Sequence, residues 1–223
     1  MVVLATKLYV EGDARERALD SLRSLVGNDL ADLDVEWTLG LRDDDFPSVT
    51  IDGEDSVVAR NLLREEWGAI TPSFEAGEEY VGTLDRWDEE GFVLDAGERV
   101  RIPASELGLG QGSPIQIRKR FGLVQHLPMR FVYDEDAPRL ADSERDRLYD
   151  WTRAETGRLN VNSATRAEVR ATMNRAGHAQ DVVTVERLGL LEQSVVCTEG
   201  TDPPGLLASV GGYLPAELLC VVP

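Results

Sequence analysis

The chain has 223 residues, enough for one large domain or two to three small ones. Its 41 acidic side chains against 23 basic ones give a formal net charge of −18, and Lys7 and Lys119 are its only lysines. Hydrophobic residues at 42 % exclude a disordered acidic chain, and no run of about 18 apolar residues marks a membrane span.

Residues Val2 to Val10 read as a strand, with Val2, Leu4, Leu8 and Val10 on one face. A helix is expected next, capped by Asp13 with Glu16 completing a capping box, its stripe running Ala14, Ala18, Leu19, Leu22, Leu25 and Val26. Short strands near Val35 to Thr38 and Val49 to Ile51 follow. A second helical stripe is Val57, Val58, Leu62, Leu63 and Trp67. The order β-α-β-β-α over residues 1–75 predicts a ferredoxin-like αβ domain.

Between residues 76 and 133 the pattern changes to short strands broken by turns. EYVGTLDRW, GFVLDAG, ERVRIP, SPIQIRKRF and LVQHLPMRFVY predict a small five-stranded β-barrel. Gly108, Gly110 and Gly112 supply the connection before the fourth strand; no Lys-Ser/Thr pair follows them, so they do not read as a phosphate loop.

Residues 134–223 read as a linker helix, capped by Ser143 and ending at Gly157, followed by β-α-β-β-α-β. Its strands are expected at Leu159 to Val161, Val182 to Arg187, Ser194 to Thr198 and Leu218 to Val222. Its helices are Thr165 to Ala176, with a Thr165/Glu168 capping box, and Pro203 to Val210, opened by Thr201-Asp202. The expected fold class is therefore α+β, with two ferredoxin-like (βαββα) units flanking a small five-stranded OB-like β-barrel. Cys197 and Cys220 lack metal-ligand spacing and are expected as separate thiols, because the first strand of such a sheet lies between theirs.

Acid in such excess with so little lysine suits a salt-rich interior, where the Debye length shrinks to about 3 Å in molar salt and self-repulsion is screened. The N-terminus has no basic region ahead of an apolar stretch, so a cytoplasmic protein is expected. The two histidines, His126 and His178, fall in different units, and neither stands in a nucleophile, metalloprotease or dinucleotide motif. Asp43-Asp44-Asp45 lacks the spacing of a calcium loop and reads as a solvated turn. No enzyme and no cofactor are expected.

Residues 98–133 hold only Glu98 and Glu106 against Arg99, Arg101, Arg118, Lys119, Arg120 and Arg130. This local basic character gives two readings: a contact surface for single-stranded RNA, or arginines spent on surface ion pairs. On the RNA reading, Tyr80, Phe92 and His126 supply stacking platforms and Arg99, Arg101, Arg118, Lys119 and Arg120 contact phosphates.

The stretch YVGTLDRWDEEGFVLDAGERVRIPASEL resembles the OB module that recurs in the largest bacterial small-subunit ribosomal protein and in exosome and initiation-factor subunits. That resemblance implies RNA binding on the barrel face, where Tyr80, Phe92 and the Arg118 to Arg120 run would map. RLGLLEQSVVCTEGTDPPGLLASVGGYL, with the three-unit layout, resembles an uncharacterised conserved archaeal family of unknown function. LNVNSATRAEV is similar to the opening of helix-hairpin-helix motifs, but Arg175-Ala176-Gly177-His178 stands where the GxG hairpin belongs. The expectation is an RNA-binding factor of archaeal translation or transcription. Its alternative is a regulatory or assembly protein that binds a small metabolite, a protein partner or a second copy through its ferredoxin-like domains.

Overall fold

The computed structural model describes residues 1–223 and is a mixed α+β chain with three antiparallel sheets. No helix is long and apolar enough to cross a membrane. The first sheet holds β1 (Val2–Val3), β2 (Glu36–Leu41) and β3 (Pro47–Asp52) in the order β1-β3-β2, with helices α1 (Gly12–Asp29) and α2 (Ser56–Trp67). The strand expected over Val2 to Val10 is shorter, continued only by a bridge from Leu4 to Ala69. Helix α1 starts one residue before Asp13, at a Glu11 N-cap that makes no side-chain cap, so the expected capping box does not form. Helix α2 turns Ala59, Leu63 and Trp67 inward at four-residue spacing, which leaves Val57 and Val58 of the expected stripe exposed.

The second sheet is five-stranded, β6-β5-β4-β7-β8, built from β4 (Glu79–Asp88), β5 (Gly91–Asp95), β6 (Arg99–Pro103), β7 (Pro128–Val132) and β8 (Arg139–Leu140). It curls into a half-barrel: β8 approaches β6 across the open side without pairing to it. A bulge between Leu84 and Arg86 bends β4 at this curl.

The segment expected as the fourth barrel strand is instead helix α3 (Pro114–Arg120). Ser113 accepts from the Gln116 N–H while the Gln116 side chain accepts from the Ser113 N–H, and Pro114 occupies the first turn, where its missing N–H costs nothing. Helical spacing turns Pro114, Ile117 and Arg118 inward and packs Phe121, just beyond the last turn, into the core of the half-barrel.

The expected linker helix, α4 (Asp142–Arg153), belongs to that same core. Leu148 and Trp151 pack among Phe121, Phe131 and Leu140. Its N-cap is Ala141, which makes no side-chain cap, and it ends before Gly157, so the expected Ser143 cap is not formed.

The third sheet contains β9 (Arg158–Val161), β10 (Val182–Arg187), β11 (Gln193–Cys197) and β12 (Leu218–Val221) in the order β10-β11-β9-β12, with α5 (Arg166–Arg175) and α6 (Pro203–Val210). Both expected caps form: Thr165 and Glu168 close a capping box, and the Asp202 carboxylate accepts from the Gly205 N–H. Strand β9 separates the strands that carry Cys197 and Cys220, and both thiols are free.

Candidate binding cleft where the three modules meet

The basic residues of the central module are distributed over several places rather than one face. Arg99 pairs with Asp85 at 3.2 Å. Arg101 grips Asp88 through both nitrogens at 2.7 and 2.9 Å, and this guanidinium holds the Asp88 carboxyl down to about 2. Helical geometry sends Arg118 inward, where it stacks 3.6 Å from the Trp87 ring and pairs with Glu217 of the third module. Arg120 donates to the carbonyls of Leu109 and Gln111, closing the glycine-rich loop onto α3. Lys119 points to solvent.

The aromatic residues are committed to packing. Phe92 is fully buried and presents no face to a base. Tyr80 is half-buried, its ring edge-on to Phe74 at 4.9 Å and its hydroxyl accepting from the Glu75 N–H. His126 lies outside any strand with φ 67°, and its ring rests on Tyr9 of the first module at a centroid distance of 3.9 Å.

A cleft of about 290 Å³ opens where the modules meet. The first module contributes Thr6, Trp67 and Gly68; the central module contributes Arg130 from β7 with Glu144 and Arg147 from α4; the third contributes Arg187 and Gly189 at the end of β10. Junctions of this kind are where small-molecule pockets most often form.

Three guanidinium groups line this cleft in a chain whose net charge is −18. Arg187 lies over the Trp67 ring at 4.1 Å and pairs with Glu66. Arg130 reaches Glu79 at 3.2 Å, a partner outside the cleft lining. Arg147 pairs with the buried Glu144 and donates to the Pro128 carbonyl at 3.3 Å, while its Nε has no partner in the chain. Glu144 also accepts from the Arg130 N–H at 3.3 Å, so α4 and β7 are tied together beneath the two arginines. Guanidinium forks on aromatic and carboxylate supports match the planar oxygens of a carboxylate or phosphate.

A buried polar cluster adjoins this cleft. A Cβ on Gly189 would run into the Glu192 carboxylate, so the cleft wall passes directly over that group. Glu192 is fully buried, and desolvation pushes its carboxyl up to about 8. Tyr9 donates to its Oε1 at 2.7 Å and accepts from the Ser163 N–H at 2.9 Å. Burial, and then the charge of Lys7, lowers the His126 pKa below its ordinary value. Lys7 itself pairs with Asp95 at 2.5 Å.

Asp45, His126 and Ser163 are the non-glycine residues with positive φ, at 67°, 67° and 58°. Each one touches the Leu8-Tyr9 segment: the Asp45 carbonyl accepts from the Leu8 N–H at 2.9 Å, the His126 ring stacks on Tyr9, and the Ser163 N–H binds the Tyr9 hydroxyl. Such conformations cost on the order of 1–3 kcal/mol each and persist where surrounding contacts enforce them.

Together these features define a three-module α+β protein with an arginine-lined cleft at the common junction. The family comparison divides the chain in the same way. Residues 1–73 match the DUF2110 N-terminal domain, residues 74–152 the DUF2110 central domain and residues 156–222 the DUF2110 C-terminal domain. The chain belongs to the DUF2110 family, an uncharacterised family. The central match includes α4, in agreement with the packing of Leu148 and Trp151. No curated protein matches the chain.

Proposed function

We propose that the protein is a regulatory or assembly factor that binds a small anionic metabolite, a carboxylate or a phosphate, in the three-module cleft. The observation that carries this reading is the convergence of Arg130, Arg147 and Arg187 on one cavity in an otherwise acidic molecule. A ligand there would touch all three modules at once and thereby favour one arrangement of them. The flanking modules are read as ferredoxin-like, supported by the orders β1-β3-β2 and β10-β11-β9-β12 with every pairing antiparallel. The acid excess is read as a solubility device for a salt-rich archaeal cytoplasm.

RNA binding by the central module is the second reading. It is favoured by the strand order β6-β5-β4-β7-β8 with α3 between the third and fourth strands, which suits an OB-like module, and by the solvent-facing Lys119. Thermal-shift measurements against carboxylate and phosphate metabolites, run beside single-stranded RNA in high salt, separate the two. A metabolite shift that disappears in an Arg130→Gln, Arg187→Gln double variant supports the cleft. A shift with RNA alone, lost in Lys119→Glu, transfers the function to the central module.

A further inference from the structure

Away from the cleft, the third module brings a hydroxyl, an imidazole and a carboxylate into hydrogen-bonded series. Gly177, with φ 83°, closes α5, and the His178 N–H reaches back to the Met173 carbonyl at 2.9 Å, which fixes where the imidazole leaves the helix. Asp181 donates its N–H to the His178 carbonyl at 3.1 Å, and its own carbonyl accepts from the Thr198 N–H at 3.0 Å. Its Oδ2 lies 2.7 Å from His178 Nδ1, and His178 Nε2 lies 2.7 Å from the Oγ of Ser209 in the last turn of α6.

An ionised carboxylate only accepts, so the proton between Asp181 and His178 sits on Nδ1. In the neutral imidazole Nε2 is then the acceptor, and the Ser209 hydroxyl 2.7 Å away is the donor to it. The imidazole is 24 % exposed and the Asp181 carboxylate 31 %, whereas Ser209 is on the open surface.

We propose that Ser209 and His178 form a nucleophilic site, with Asp181 as its positioning residue, that takes acyl groups from small activated esters. Ser209 Oγ bonds to the acyl carbon as its proton passes to His178 Nε2. The ester C–O bond breaks and the leaving oxygen takes that proton, giving the alcohol and an acyl-serine. Water then adds to the acyl carbon with His178 again as base, the Oγ–C bond breaks, and the acid and the free serine return. This activity is independent of anion binding in the cleft.

The test is covalent labelling of the full-length chain with a fluorophosphonate, mapped by peptide mass, together with hydrolysis of p-nitrophenyl acetate. The expected adduct is on Ser209, with labelling and hydrolysis falling roughly 100-fold in His178→Gln, the scale of a lost general base. Asp181→Asn should fall in the same direction, and Asp181→Glu should recover part of the rate. Ser209→Ala, at an exposed position, keeps the fold and should lose the adduct. No adduct on wild-type Ser209, or equal labelling in His178→Gln, overturns the proposal.

Discussion

Tyr9 and Glu192, 183 residues apart in the chain, share a 2.7 Å hydrogen bond that ties the first module to the third. The tyrosine hydroxyl donates to a fully buried carboxyl and accepts from the Ser163 N–H, so one side chain satisfies two polar groups that have little access to water. Removing the hydroxyl strands both. Tyr9→Phe is therefore expected to cost about 2 kcal/mol, since an unmatched buried polar group costs roughly 1–3 kcal/mol. Urea denaturation should show a lower midpoint with an unchanged slope, whereas an unchanged midpoint would show that the bond adds nothing to the junction.

Glu192 also gives stability a pH dependence of definite sign. Its carboxyl is raised from 4.5 to about 8 in the native chain, so below pH 4.5 it is protonated in both states. Between 4.5 and about 8 the unfolded chain releases this proton while the native chain retains it, and stability falls as pH rises. Above about 8 that loss is complete. The Asp88 carboxyl, held down to about 2, acts in the opposite direction and in a lower window, from its ordinary 3.8 downward. Glu192→Gln, neutral at every pH, should flatten the fall between pH 5 and 8. Parallel stability curves for the two proteins would contradict the assignment.

The arginine cleft rests on a buried charge that needs its partner. Glu144 is only 2 % exposed and is held by Arg147 and by the Arg130 N–H. Arg147→Ala leaves that carboxylate without its counter-charge, and breaking a buried pair from one side typically costs about 3–5 kcal/mol. Arg147→Ala combined with Glu144→Gln should recover much of the loss in chemical denaturation, because the charge that needed compensation is gone. A double variant no more stable than the single one would show that the Arg147 guanidinium over the Trp151 ring, 5.1 Å from its centroid, is what matters.

How much of this was written locally can be judged from particular residues. The α5 and α6 boundaries were legible because Thr165/Glu168 and Asp202-Pro203 are self-contained cap signals, and both caps form. Helix α3 reads as a strand in the sequence because Ile115 and Ile117 alternate over only seven residues. The Ser113-Pro114 and Gln116 signature was the stronger local evidence, and it forms a capping box. That error also reversed the expected environment of Arg118, which packs on Trp87 and Glu217 rather than facing solvent.

The cleft and its neighbouring cluster were not legible, because Tyr9, His126 and Glu192 lie in separate modules and no local period encodes their meeting. Arg130 and Arg187 likewise lie in separate strands of different modules. The pairing of His178 with Ser209 lies within one module but joins the ends of two different helices 31 residues apart, which no local period encodes. The positive φ of Asp45, His126 and Ser163 carried no sequence signal, since none of the three is glycine.

The most direct test of the cleft is an equilibrium titration with inorganic phosphate, pyrophosphate and citrate, at constant ionic strength set with chloride. The wild-type chain should bind at least one of these anions saturably at one site. Arg130→Gln with Arg187→Gln should weaken that binding at least tenfold, a loss of about 1.4 kcal/mol, while leaving the fold intact. Responses that do not saturate, or that are equal in wild type and variant, would contradict an anion site between the three modules.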